Sequence, residues 1–274
     1  MKLARLTRLS RAVHLLLHPS EFVRRLNGLR LERKISNAAK NPFFMQSQMD
    51  INQKSNWYAK EFINQTGGYL VAGDSINRVV ETLEPWDIVR RDMIILLLRS
   101  IVVRKVMGNL AELGVYKGLT ARLIHHYLPE RTLHLFDTFS GFDKKDLVIE
   151  LSKTGVERNG AQFSDSSLDE VVLNIEKRND NVNIYKGHFP ESIPVELHAQ
   201  RFAFVHIDVD LYEPTLTGLN FFYNKLSEGG CLLVHDYNAW IGVRKAVDEF
   251  CQKNQCIALP MPDKSGSALI IKGR

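Results

Sequence analysis

From residue 108 onward, short apolar runs alternate with helical stretches, and this alternation leaves few folds open. Strand-like runs fall at 108–116, 132–139, 181–187, 202–210, 230–236, 256–261 and 267–272. Helical stretches separate the first five, at 119–129, 168–179, 191–199 and 214–226, and a further helix at 242–253 follows the fifth. Strands that alternate with helices predict a parallel sheet covered on both faces. The last two runs are parted only by Pro262-Asp263-Lys264-Ser265-Gly266, which predicts an antiparallel hairpin. The expected architecture is α/β: a Rossmann-like, seven-stranded, mostly parallel sheet with a C-terminal antiparallel hairpin, preceded by a helical N-terminal extension.

Three segments follow from this. Residues 86–274 form the sheet domain, opened by a helix from about Trp86 to about Val103 after Pro85. Residues 41–85 are rich in Asn, Gln and Gly but carry Phe43, Phe44, Trp57, Tyr58, Phe62 and Tyr69, too many aromatic residues for a linker. They are expected to pack over the main domain as helices and loops, or as a lid. Residues 1–40 read as a basic amphipathic leader, with Leu3, Leu6, Leu9, Val13 and Leu16 on one stripe and Lys2, Arg5, Arg8 and Arg11 beside it. Such a leader suits weak contact with an anionic membrane surface or an assembly partner. A solvated helix packed on its own domain explains the same pattern. A homo-oligomer is compatible with the sequence.

The leader also accounts for the charge. It holds ten Lys and Arg against two Glu, a net +8, whereas the whole chain is +5, so the remainder is −3. The body is therefore no nucleic-acid-binding surface. No apolar run approaches the roughly 18 residues of a membrane span. Leu15-Leu16-Leu17 is too short for a signal-peptide core, and no small-residue cleavage site follows it. Cys231, Cys251 and Cys256 have no metal-site spacing and are expected to be reduced, buried thiols. A cytoplasmic protein, with its leader peripheral to a membrane at most, is the expectation.

The first strand leads into Ala111-Glu112-Leu113-Gly114-Val115-Tyr116-Lys117-Gly118. Ligands of such sheets bind beyond the C-terminal strand ends at the switch point. A dinucleotide loop would read G-x-G-x-x-G and aim its amides at a pyrophosphate. Here Glu112 takes the place of the first glycine. A carboxylate repels a pyrophosphate but suits the ammonium group of a methionine moiety. The pattern thus favours S-adenosylmethionine (AdoMet) over a nicotinamide cofactor. Gly114 would let the backbone approach the ligand, Gly118 would let helix and strand pack closely, and both would shape the AdoMet pocket. Asp137 ends the second strand, 23 residues after Gly114, where an acid would accept both ribose hydroxyls.

The fourth and fifth strands end in His206-Ile207-Asp208-Val209-Asp210 and Val234-His235-Asp236-Tyr237-Asn238. Adjacent strand ends would bring Asp208, His235 and Asp236 together. An oxygen-rich set with open positions suits Mg²⁺, and the histidine admits Mn²⁺ or another transition ion. Such an ion would orient an acceptor and lower the pKa of its hydroxyl, with Asp208 and His235 nearest the chemistry. Alternatively, Asp208 contacts the cofactor while His235 and Asp236 serve as a helix cap and a core hydrogen bond. His235 could be a ligand, a general base or a structural histidine. His125, His126, His134 and His198 carry no spacing signal, and His188 could reach the adenine side or serve its own loop. Two other classes stay open: a nicotinamide-dependent oxidoreductase, and a non-catalytic module on a vestigial AdoMet fold.

These motifs, A-E-L-G-V-Y-K-G, F-D-T-F-S-G-F, K-G-x-F-P-E-S, H-I-D-V-D-L-Y-E-P-T and H-D-Y-N, occur in this order and resemble the macrocin O-methyltransferase family over roughly residues 85–255. Residues 1–70 match no family motif. The resemblance implies methyl transfer from AdoMet, with Mg²⁺, to a hydroxyl of a sugar or glycosylated natural product. It places the family's first metal aspartate on Asp208 and its paired aspartates on His235 and Asp236, so a histidine stands in the first position of that pair. The stretch from Asp143 to Gln162 is expected to carry acceptor contacts.

Overall fold

A computed structural model of the protein describes residues 88–175 and 181–273. The leader (1–40) and the lid segment (41–85) lie outside the described residues, as do the start of the domain at 86–87 and the last turn expected of the 168–179 helix.

Seven strands form one sheet: β1 (Asn109–Leu113), β2 (Leu133–Asp137), β3 (Val182–Lys186), β4 (Phe202–Ile207), β5 (Leu226–Val234), β6 (Ala258–Pro260) and β7 (Ala268–Ile271). Their order is β3-β2-β1-β4-β5-β7-β6. The first five strands run parallel, and β7 pairs antiparallel with both β5 and β6. This is the expected sheet with its terminal hairpin. The chain order reverses between β1 and β4, so a crevice opens beyond their C-terminal ends.

Among the described residues, six helices cover the faces: α1 (Ile88–Val103), α2 (Leu119–Tyr127), α3 (Lys144–Thr154), α4 (Leu168–Ile175), α5 (Tyr212–Tyr223) and α6 (Ile241–Asn254). Strand residues alternate between two apolar clusters. Leu110, Leu133, Leu135, Phe204 and Leu233 join Ile95, Leu98, Leu123 and Val171 from α1, α2 and α4. Ala111, Phe136, Val205 and Leu232 join Leu219, Phe222, Val247 and Phe250 from α5 and α6. Side chains at positions two apart share a sheet face, so runs apolar at every position signal burial on both sides.

Four expectations need correction. The helix expected at 191–199 is a short 3-10 turn, Val195–Ala199, because Pro190 and Pro194 each lack an amide hydrogen. The α5 helix begins at Tyr212 and keeps Pro214 in its first turn, where an amide would lack an intrahelical acceptor anyway. Only Cys231 is buried; Cys251 and Cys256 are half-buried, with sulfurs 3.6 Å apart.

The fourth correction matters most for the site. The stretch from Asp143 to Gln162 opens with a helix, α3. Asp143 caps it by accepting from the Lys145 amide, and Gly155 ends it at φ 73°. Its buried residues are Asp146 and Glu150, while Val148 and Leu151 face outward. Acids inside and aliphatics outside erase the usual amphipathic pattern. Glu150 has a clear task. The Tyr212 amide at the start of α5 donates to Glu150 Oε2 at 2.8 Å. A Cβ on Gly242, the second residue of α6, would collide with the same carboxylate. Neither α5 nor α6 has a side-chain cap of its own. One buried carboxylate therefore serves the positive ends of two helices.

Candidate functional site

The crevice at the switch point is a cavity of about 620 Å³. All five parallel strands reach it: β1 through Glu112 and Gly114, β2 through Asp137, β3 through Gly187 and His188, β4 through Asp208 and Asp210, and β5 through His235 and Asp236. Arg90, Arg91 and Ile94 of α1 line one wall, and Asp143 and Asp146 another. This volume lies within the ordinary range for a small-molecule site.

Glu112 lies in register with His206 on β4. His206 Nδ1 shares a 2.8 Å hydrogen bond with Glu112 Oε1. Both side chains are almost wholly buried, and Glu112 Oε2 has no hydrogen-bond partner among the described residues. Burial pushes the Glu112 carboxyl up, and His206 only partly offsets this. A buried, orphaned carboxylate oxygen at a cavity wall is costly unless a ligand supplies a donor.

Gly114 has φ 87°, and a Cβ there would run into the Asp208 carbonyl oxygen. The Asp208 amide donates to Leu113 O at 2.8 Å. This glycine first allows β1 and β4 to touch as they leave the sheet, and it also lines the cavity. Gly118 does not line it. It enters α2 with φ 78° and faces Val171 of α4. Asp137 is fully employed in shaping the loops. Val115 and Tyr116 amides donate to its Oδ2 at 2.7 and 2.9 Å, and the Phe139 amide donates to its Oδ1 at 2.7 Å. It borders the cavity, and its Oδ1 accepts only one of these bonds.

At the other end, Asp208, His235 and Asp236 converge, each offering one ligand atom within 4.8 Å of the others. His235 Nδ1 lies 3.0 Å from Asp208 Oδ1 and 3.3 Å from Asp236 Oδ2. Arg90 Nη1 donates to Asp208 Oδ2 at 3.1 Å. Burial raises the Asp208 carboxyl, but His235 and Arg90 together pull it below the usual range.

The motifs assign no role to several residues of the site. Asp210 is buried and hydrogen-bonded to Asp236, and burial together with the Asp208 charge raises its carboxyl far above the usual range. Asp236 is pulled down despite its own burial, by His235 and Asp210. Both backbones are left-handed, at φ 62° for Asp210 and 60° for Asp236, strain of the kind stored at functional sites. His206 had a signal available, since it precedes Asp208 by two and must share its sheet face. Arg90 had none, lying 118 residues from its partner. On the β3 side, His188 sits between Asp146 (2.9 Å) and Glu191 (2.7 Å). Partial burial lowers its pKa, but the two carboxylates outweigh this and raise it.

The described helices include none long and apolar enough to cross a membrane. The chain is 27% identical over 163 residues to a demethyldecarbamoylnovobiocin O-methyltransferase from Streptomyces niveus, an alignment spanning 56% of this chain and 62% of that one. It is 30% identical over 156 residues to a mycinamicin III 3''-O-methyltransferase from Micromonospora griseorubida, spanning 53% and 61%. The chain thus spans about three fifths of the length of these relatives. The solved structure of the O-methyltransferase NovP shares the fold with a TM-score of 0.58 at 24% identity, covering 68% of this chain and 81% of that one. The family model of macrocin O-methyltransferase (TylF) matches residues 89–267, from α1 through β6 and every strand end that lines the cavity. With that match over more than half its length, the chain belongs to the macrocin O-methyltransferase (TylF) family.

Proposed function

We propose that the protein transfers a methyl group from AdoMet to a hydroxyl of a sugar or glycosylated natural product, with a divalent cation at the acceptor side. The observation that carries this reading is the orphaned Glu112 Oε2, buried at one end of a cavity whose other end gathers Asp208, His235 and Asp236. Family membership and the glycoside names of the two relatives support the acceptor class.

When bound, AdoMet supplies an electrophilic methyl group and the cation polarises the acceptor hydroxyl. Glu112 would hold the methionine ammonium, with His206 fixing its rotamer. Asp137 keeps the cofactor loop in shape. Asp208, His235 and Asp236 fit a cation as two carboxylates and one imidazole, a set that admits Mn²⁺ or a later transition ion as well as Mg²⁺. Asp210, hydrogen-bonded to Asp236, would keep that carboxylate oriented. A second reading draws on the 3.0 Å contact between Asp208 and His235: the pair takes the hydroxyl proton as a carboxylate–imidazole base without a metal.

Incubation with AdoMet and a panel of deoxyhexose glycosides, read by mass spectrometry, tests the reaction. The expected result is a gain of one methyl group on oxygen. Calorimetry with S-adenosylhomocysteine tests the cofactor, and a folded protein that binds none would overturn the proposal. Activity that survives EDTA selects the metal-free reading.

A further inference from the structure

We infer that Arg90 is the residue that grips the carboxylate of the cofactor's methionine moiety, completing with Glu112 a clamp for both charges of that zwitterion. This rests on the AdoMet reading above.

The methionine moiety carries an ammonium and a carboxylate on one carbon. A site that answers only the ammonium would leave an anion in a cavity already walled by Glu112, Asp208, Asp210 and Asp236. Two anions at close quarters repel, so a cation must stand near Glu112. Among the described residues, three long cationic side chains line the cavity: Arg90, Arg91 and Lys117. Lys117 is tied to Asp165 at 2.8 Å, beside Tyr116 at the outer loop. The Nε of Arg91 is directed to the neighbouring Asp92 at 2.8 Å. Arg90 reaches inward instead, to Asp208 Oδ2 at 3.1 Å. Leu110, two residues before Glu112 on β1, packs with Ile94 and Ile95 of α1, so the helix that carries Arg90 covers the sheet face that Glu112 shares.

A guanidinium is planar and carries five N–H donors in a fork that matches carboxylates. It can face Asp208 and a second carboxylate at once. A cation arriving at Asp208, His235 and Asp236 would draw on the Asp208 oxygens that Arg90 now faces. Arg90 would then turn further toward the cofactor, so cation and cofactor should favour each other's binding.

The test uses the full chain and two probes, S-adenosylhomocysteine and S-adenosyl-3-thiopropylamine, which lacks only the carboxylate. Wild type should bind the first at least tenfold more tightly. Arg90→Ala should weaken S-adenosylhomocysteine ten- to hundredfold and leave the decarboxylated probe within twofold, as expected for one charge-assisted interaction. Arg90→Lys should fall between, since it keeps the charge and loses the fork. Equal wild-type affinity for the two probes would overturn the inference without any variant, which also covers the event that Arg90→Ala does not fold. A variant that weakens both probes equally would reduce Arg90 to a wall of the pocket. Absence of any binding by wild type would instead remove the AdoMet reading itself.

Discussion

His206 Nδ1 and Glu112 Oε1 stand 2.8 Å apart across the β1–β4 pair at the cavity wall, and the second oxygen of Glu112 is buried without a hydrogen-bond partner among the described residues. Glu112→Gln keeps the shape and removes the charge. The expected result is a loss of at least tenfold in affinity for S-adenosylhomocysteine, measured by calorimetry. Thermal stability should hold or rise, because a buried carboxylate loses its desolvation penalty. An unchanged Kd would take Glu112 out of the cofactor site.

The cation site can be read without turnover. Mn²⁺ added to the full chain should lose its free-ion EPR signal with one equivalent bound. Asp208→Ala and Asp236→Ala should each weaken that binding more than tenfold. His235→Asp exchanges an imidazole for an oxygen donor and should shift preference from Mn²⁺ toward Mg²⁺. A His235→Asp protein with unaltered ion preference would show that His235 is no ligand.

Gly114→Ala and Gly118→Ala separate two glycines that the sequence assigns to one pocket. At Gly114 the new Cβ meets the Asp208 carbonyl, backbone against backbone, at φ 87°. Loss of several kcal/mol or failure to fold is expected. At Gly118 it meets Val171 Cγ1 at 3.1 Å, a side chain that can give. There about 1–2 kcal/mol should be lost, with cofactor affinity nearly retained. Thermal melts with S-adenosylhomocysteine titrations check both.

His134 lies far from the cavity mouth, between Asn109 (3.2 Å) and Tyr185 (3.1 Å), and burial lowers its pKa from 6.5 to about 4. Its folded-state pKa is below its unfolded one, so the unfolded chain binds more protons between those values. Stability should therefore fall as pH drops from 6.5 to about 4, by up to roughly 3 kcal/mol from this residue. His134→Gln should flatten that limb of a denaturation-midpoint profile. An unchanged acid slope would show that another group governs it.

The order of the sheet was legible because strands buried on both faces have no polar alternation to confuse them, as Phe202–Ile207 illustrates. The convergence of Asp208, His235 and Asp236 was legible for a related reason, since neighbouring parallel strands end at one rim. What stayed hidden follows from context that no local pattern carries. The inward face of α3 is Asp146 and Glu150, so apolar periodicity could not announce the helix. Asp210 passes for the first residue of a loop until its left-handed backbone turns it onto Asp236. Arg90 is one of three arginines in α1 until the fold sets it beside Asp208.

Asp137 carries a lesson for mutational scanning of this pocket. Three backbone amides rest on its carboxylate, from residues 115, 116 and 139. The loop is thus preorganised, and its conformational entropy is surrendered when the chain folds and not when the ligand arrives. Any substitution at Asp137 that lowers cofactor affinity will report first on the return of that entropy to the loop. A scan of affinity alone would not separate such an effect from the loss of a ligand contact. The difference lies in the heat capacity of binding: a loop that must order as the ligand binds makes it more negative, while loss of a single contact barely moves it.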